Sequence, residues 1–190
     1  MPIFARWRAE RGLQRKAVAF VDVLFRDPDV ADVEWLSRVA TRGDTDHAQW
    51  ELRYARRALG LIAAQRDALN DRTASVVARQ ISEALGRDRN IASEMAETSE
   101  RQFNARLSAY RDGLAAKAGA PTPIRMGQTL MAFAGGSFNK QDDNIVRAGE
   151  LLSVYLTEAN EALRATFGAA TLPENIPPSA VGASGRSEKP

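Results

Sequence analysis

The chain's only histidine, His47, sits three residues after Asp44 and four before Glu51. On a helix, residues four apart share a face, so His47 and Glu51 become neighbours and Asp44 lies within reach. An imidazole and two carboxylates are suitable metal ligands and proton-transfer groups. Asp44, His47 and Glu51 are therefore the candidates for a metal-dependent enzyme. The supporting pattern is thin. There is no second histidine, no HExxH and no pair of ExxH helices. A metal would need distant acids such as Asp67, Asp71, Asp142 or Asp143 to converge on this point. The same spacing suits a helix start, with Asp44 or Thr45 as the cap and His47 in the first turn. That is the preferred reading, and no metal or other cofactor is expected.

Just downstream, Arg53, Arg56 and Arg57 form a basic cluster beside Trp50 and Tyr54. Guanidinium forks can hold phosphate or carboxylate. They can equally pair with acids from a neighbouring helix, which would relieve the repulsion between Arg53 and Arg57 at i,i+4. Trp50, Arg53, Tyr54 and Arg57 are taken as one candidate partner-binding surface. The second is the start of the chain. Residues 1–16 carry five positive side chains and one negative, together with Phe4 and Trp7. Phe4, Trp7, Arg8 and Arg11 could meet a protein, a nucleic acid or an anionic membrane surface. The bland alternative is that Phe4 and Trp7 clamp the first helix to a core while the arginines stay wet.

Other familiar chemistry is missing. Gly135-Gly136 before Ser137 lacks the Lys-Ser/Thr ending and preceding strand of a phosphate loop. Ser137 and Lys140 match S-x-x-K without its supporting motifs, so a turn is expected there. No serine elbow, dinucleotide-binding glycine pattern, zinc finger or calcium loop is present.

The elements that must carry these residues are helices. Leu13, Ala17, Phe20, Val21 and Leu24 mark a first helix over residues 3–25. A short second helix is expected after "RDPDV", with Asp27 as cap, Pro28 at its first position, and Val30, Val33 and Leu36 buried. Residues 46–69 carry a 3.6-residue stripe through Ala48, Leu52, Ala55, Leu59, Ile62 and Leu69. Trp50, Tyr54, Ala58 and Leu61 widen it until it faces several neighbours. Val77, Ile81 and Leu85 belong to a fourth helix that ends near Gly86. A long helix follows over about 91–117, through Met95, Ser99, Phe103, Leu107, Tyr110 and Leu114. Pro121 and Pro123 break the chain before a short helix at 124–134. A last helix over 143–167 buries Ile145, Gly149, Leu152, Leu156, Ala159, Leu163 and Phe167.

The expected fold is all-α: a compact bundle of five to seven helices, its long helices antiparallel and its connections short. Three regions are distinguished: a basic amphipathic helix at 1–26, possible as a docking element; a bundle at 27–168; and a tail at 169–190. That tail holds four of the eight prolines and no long apolar period.

Composition narrows the function classes. Apolar residues at 44% and charged residues at 26% describe a chain that folds. The absence of cysteine excludes disulfides and thiolate metal sites. No apolar run reaches the roughly 20 residues of a membrane span. Arginines interrupt any secretory-signal pattern at the start, so a cytoplasmic protein is expected. The net charge is only +2, so overall charge does not argue for nucleic acid. The preferred function is a non-enzymatic helical interaction or regulatory protein that binds another protein or itself. Nucleic-acid or anionic-membrane binding through the first helix is one alternative. The metal-dependent enzyme is the other.

Overall fold

Aspartate and asparagine set most of the helix starts. In the computed structural model, which describes residues 2–68, 70–136 and 142–168 (2–6 by backbone alone), seven α-helices follow one another. They are α1 (Pro2–Leu24), α2 (Val30–Val39), α3 (Thr45–Asp67), α4 (Asp71–Leu85), α5 (Ala96–Ala115), α6 (Thr122–Phe133) and α7 (Asp143–Phe167). The side chains of Asp29, Asp44, Asn70 and Asp142 accept backbone N–H groups at the starts of α2, α3, α4 and α7. Each bond satisfies a donor that the first helical turn leaves unpaired. No strand occurs among the described residues.

α3 is the centre. It packs against α2, α4, α5 and α7. Residues from every side of it are buried, among them Leu52, Tyr54, Ala58, Leu59 and Leu61. A helix buried on nearly every side lies inside the domain, and α3 does so with Glu51, Arg53 and Arg57 among its buried residues. Gly60 is the close-approach point that its lack of a side chain allows. A Cβ there would lie 2.4 Å from both terminal methyls of Leu24.

α1 joins the core through Ala17, Phe20, Val21 and Leu24. Phe20 meets Phe167 of α7 edge to face, with ring centroids 6.2 Å apart. The α6–α7 crossing is tighter still. A Cβ on Gly127 would lie 2.1 Å from the Ile145 carbonyl oxygen, and one on Gly149 would lie 2.3 Å from that of Pro123. Two backbones touch there, which only glycine permits.

Several details differ from the sequence expectation. Asp29, not Asp27, caps α2, and Asp27 turns instead to Arg53. Val30 then stands at the helix start, 70% exposed, while Trp35 takes the buried position. The helix expected from residue 91 begins at Ala96, after a 3₁₀ turn at Ser93–Met95. Pro123 lies inside the first turn of α6, where its missing N–H costs nothing. Leu69, the Ser137–Lys140 pattern and the tail at 169–190 lie outside the described residues, as does the side chain of Phe4.

Candidate functional site

His47 is the third residue of α3, and its backbone N–H donates to Asp44 Oδ1 at 2.9 Å. Its Nε2 lies 3.3 Å from Glu51 Oε1. The structure thus brings the side chains of His47 and Glu51 together, while Asp44 meets His47 only through its backbone N–H, and each acid is already engaged. Asp44 caps the helix. Glu51 is only 2% exposed, and both its oxygens accept from Arg106 of α5, Oε2 from Nε at 2.8 Å and Oε1 from Nη2. This is the two-bond fork that guanidinium and carboxylate planes favour. Among the described residues, no three His, Asp or Glu side chains gather as a metal would require.

Arg106 was not singled out in the sequence, although its position carries a signal. It falls three residues after Phe103 and four before Tyr110, on the buried stripe of α5. Its guanidinium carbon sits 5.1 Å from the Tyr54 ring centre and 4.4 Å from that of Phe133. A charge on an apolar stripe needs a buried counter-charge, and Glu51 supplies it.

The three arginines of α3 pair separately. Arg53 Nη2 lies 2.7 Å from Asp27, Arg56 pairs with Glu158 of α7, and Arg57 Nη2 lies 2.8 Å from Asp88. Arg57 is 2% exposed, and its carbon stacks 4.0 Å over the Phe25 ring. Its Nε and Nη1 have no hydrogen-bond partner among the described residues. Burial pulls its pKa below the usual arginine value, against the opposing pull of Asp88. Asp88 moves down as well. Burial alone would raise it, but the Asn90 backbone N–H and Arg57 together outweigh that effect. Arg53, Tyr54 and Arg57 are thus buried members of the interior, and Trp50 keeps partial exposure.

Trp50 and Tyr54 form one wall of a cleft of about 320 Å³, closed on the other side by Ile91, Met95 and the start of α5. Their ring centroids are 5.5 Å apart at 36°. At its base Tyr54 Oη lies 2.9 Å from Ser99 Oγ and donates to Gln102 Oε1 at 3.2 Å.

The other candidate surface is on α1. Trp7 is 51% exposed and Arg11 stacks on it at 3.7 Å. Arg8 and Arg11 face solvent. One helical turn at a time, Arg11, Gln14, Arg15 and Val18 run along one side of an open groove of about 690 Å³. Arg79, Gln80 and Glu83 of α4 form its other side. Glu83 pairs with Arg87 at 2.7 Å and with Arg79 at 3.7 Å, and Glu10 pairs with Arg72. No helix of the described residues is long and apolar enough to cross a membrane.

Comparison with protein-family models, curated proteins and solved structures finds no match.

Proposed function

We propose that the chain is a non-enzymatic helical interaction protein, and that its α1–α4 groove receives an acidic, amphipathic segment of a partner protein. One observation carries this reading. Arg11, Arg15 and Val18 line the groove at helical spacing beside Arg79 of α4, and Trp7 stacks on Arg11 one turn before it, while the opposite side of α1 is in the core. A stacked, half-exposed tryptophan is a stiff anchor of the kind that dominates binding energy. Three arginines beside one carboxylate favour an acidic occupant and speed its approach. A helix laid in a groove between two helices offers anchors at i, i+4 and i+7.

The alternatives draw less support. An interfacial membrane helix needs a continuous apolar face, and here the two apolar groups are separated by arginines. A nucleic-acid groove gains nothing from Glu83 in its wall. The enzyme reading must free Glu51 from Arg106 and Asp44 from its cap before either can act.

The test places a photo-crosslinking residue at Val18 of the full chain in cells of the source organism. The expected product is a discrete protein adduct that forms in the parent and is lost with Trp7→Ala. It should also form, more weakly, at about 1 M salt, where the Debye length is about 3 Å. Adducts only to nucleic acid or lipid overturn the proposal, as does a protein adduct indifferent to Trp7→Ala.

A further inference from the structure

We infer that the cleft beside Trp50 is a small-molecule site for an uncharged planar ring compound with an amide-like edge. The volume is the first reason: about 320 Å³ lies at the lower end of ligand pockets, enough for one small ring system. The walls are the second. The Trp50 and Tyr54 rings stand at 36° to each other on one side, with the Ile91 side chain and the Met95 thioether on the other. Flat apolar surfaces and a polarisable sulfur suit an aromatic guest. Met95 is 49% exposed, a long apolar side chain left at the mouth.

Charge selects further. Arg53 and Arg57 lie 4.8 and 5.7 Å from the Trp50 ring centre, and Arg106 lies 5.1 Å from that of Tyr54. These cations, each paired with a carboxylate, already sit against the rings, so a cationic guest gains little from the ring quadrupoles. Asp46, in the first turn of α3, is the charged group on the cleft lining and repels an anion. A neutral guest does not depend on the first effect and avoids the second.

The polar groups define its edge. Tyr54 gives its proton to Gln102 Oε1, so the Ser99 hydroxyl donates to Tyr54 and keeps lone pairs for a guest. The Gln102 carboxamide retains two N–H donors. Asn90 gives its side-chain N–H to Asp88, which leaves its carbonyl oxygen to accept. Donors and acceptors side by side, without charge, complement a carboxamide or lactam edge. None of this involves the α1–α4 groove.

The test uses three ring probes of similar size with the full chain: benzamide, benzoate and benzylammonium. Binding is read by NMR at the Trp50 indole N–H and the Met95 methyl, with the Trp35 indole as internal control. Benzamide should shift Trp50 and Met95 saturably, with a Kd on the order of 1 mM for so small a ligand, and leave Trp35 still. Benzoate and benzylammonium should bind about tenfold more weakly or not at all. Ala92→Phe, at an exposed position on the lining, should fill the cleft and abolish the shifts. Thr98→Leu serves the same purpose if that variant loses its helical circular dichroism. Absence of saturable shifts with benzamide overturns the proposal. So does equal binding of the three probes, or binding that survives a folded, filled cleft.

Discussion

Arg106 of α5 grips Glu51 of α3 through its Nε and Nη2, across 55 residues of chain, in a position where Glu51 is 2% exposed. Arg106 also donates to the Gln102 carbonyl at 3.1 Å and lies between the rings of Tyr54 and Phe133. The pair ties the central helix to the helix that floors the Trp50 cleft. Its energetic value rests on completeness: each charge is tolerated in the interior because the other is there.

Removing one partner should therefore cost far more than removing both. Arg106→Leu leaves Glu51 buried without a counter-charge and should destabilise the fold by about 3–5 kcal/mol. Adding Glu51→Leu to that variant should recover at least about 1–2 kcal/mol, because the orphaned carboxylate is gone. Arg106→Lys should not recover it, since an ammonium cannot span both oxygens. Urea denaturation of the four proteins checks this. A double variant no more stable than Arg106→Leu would show that the pair does not act as a unit.

The Asp88 pKa below its ordinary value of 3.8 makes a pH prediction. Between the folded and unfolded pKa values the unfolded chain binds more protons. Stability from Asp88 is thus fully present above about pH 4 and lost as pH falls through the folded value. Asp32 is shifted the other way, raised by burial and by Asp29 against the pull of Arg147, and offsets part of the acid loss. The Asp88 contribution is isolated by comparing the parent with Asp88→Asn. The variant should be less stable at neutral pH, where Arg57 has lost its partner, and the gap should narrow as pH falls below 4. Thermal unfolding between pH 2 and 7 measures it, and a constant gap would reject the assignment.

Much of the bundle can be read from the residues in order. The stripes through Leu52–Leu59, Val77–Leu85 and Ile145–Phe167 give helices and their buried sides directly. Asp44 announces the start of α3, and with it the ordinary role of His47. The "DPD" at 27–29 shows where local reading stops. Asp27 before a proline is a good cap, yet Arg53 draws it into an ion pair and Asp29 takes over. The burial of Arg57 and Arg106 was hidden for the same reason. Their acids, Asp88 and Glu51, stand 31 and 55 residues away, and no periodicity connects them. Trp50, Arg53, Tyr54 and Arg57 read from the sequence as one surface, but Arg53, Tyr54 and Arg57 are buried against neighbouring helices. Nothing in the sequence signals that the cleft beside them is completed by residues 90–102.

The α6–α7 contact should be the least forgiving place in the fold. Gly127→Ala sets a methyl 2.1 Å from the Ile145 carbonyl oxygen, and backbone cannot step aside as a side-chain tip would. A loss of at least about 2 kcal/mol is expected, with Gly149→Ala similar. Gly12→Ala is the control. Its added Cβ meets nothing within 4 Å, and alanine suits a helix better, so a gain of about 0.5–1 kcal/mol is expected. Chemical denaturation of the three variants checks both signs. A neutral Gly127→Ala would mean that the helices separate more readily than their contact implies.

The two kinds of residue on the outer side of α1 should contribute to binding in different ways. Trp7 is the half-exposed anchor that a partner would cover, so Trp7→Ala should weaken the crosslinked partner by about 2 kcal/mol or more, chiefly through faster dissociation. Arg15 and Arg79 stand further along the groove and act mainly through their field. Arg15→Gln with Arg79→Gln should slow association and flatten its salt dependence, with a smaller effect on dissociation. Arg11 combines both roles because it also holds the indole of Trp7. Arg11→Gln should therefore slow association and speed dissociation together. Surface plasmon resonance at several salt concentrations separates the two rates. Equal effects of Trp7→Ala and the Arg15/Arg79 pair on both rates would remove the distinction between anchor and field. An unchanged association rate in the Arg15/Arg79 variant would remove the acidic partner, because charge is what selects it.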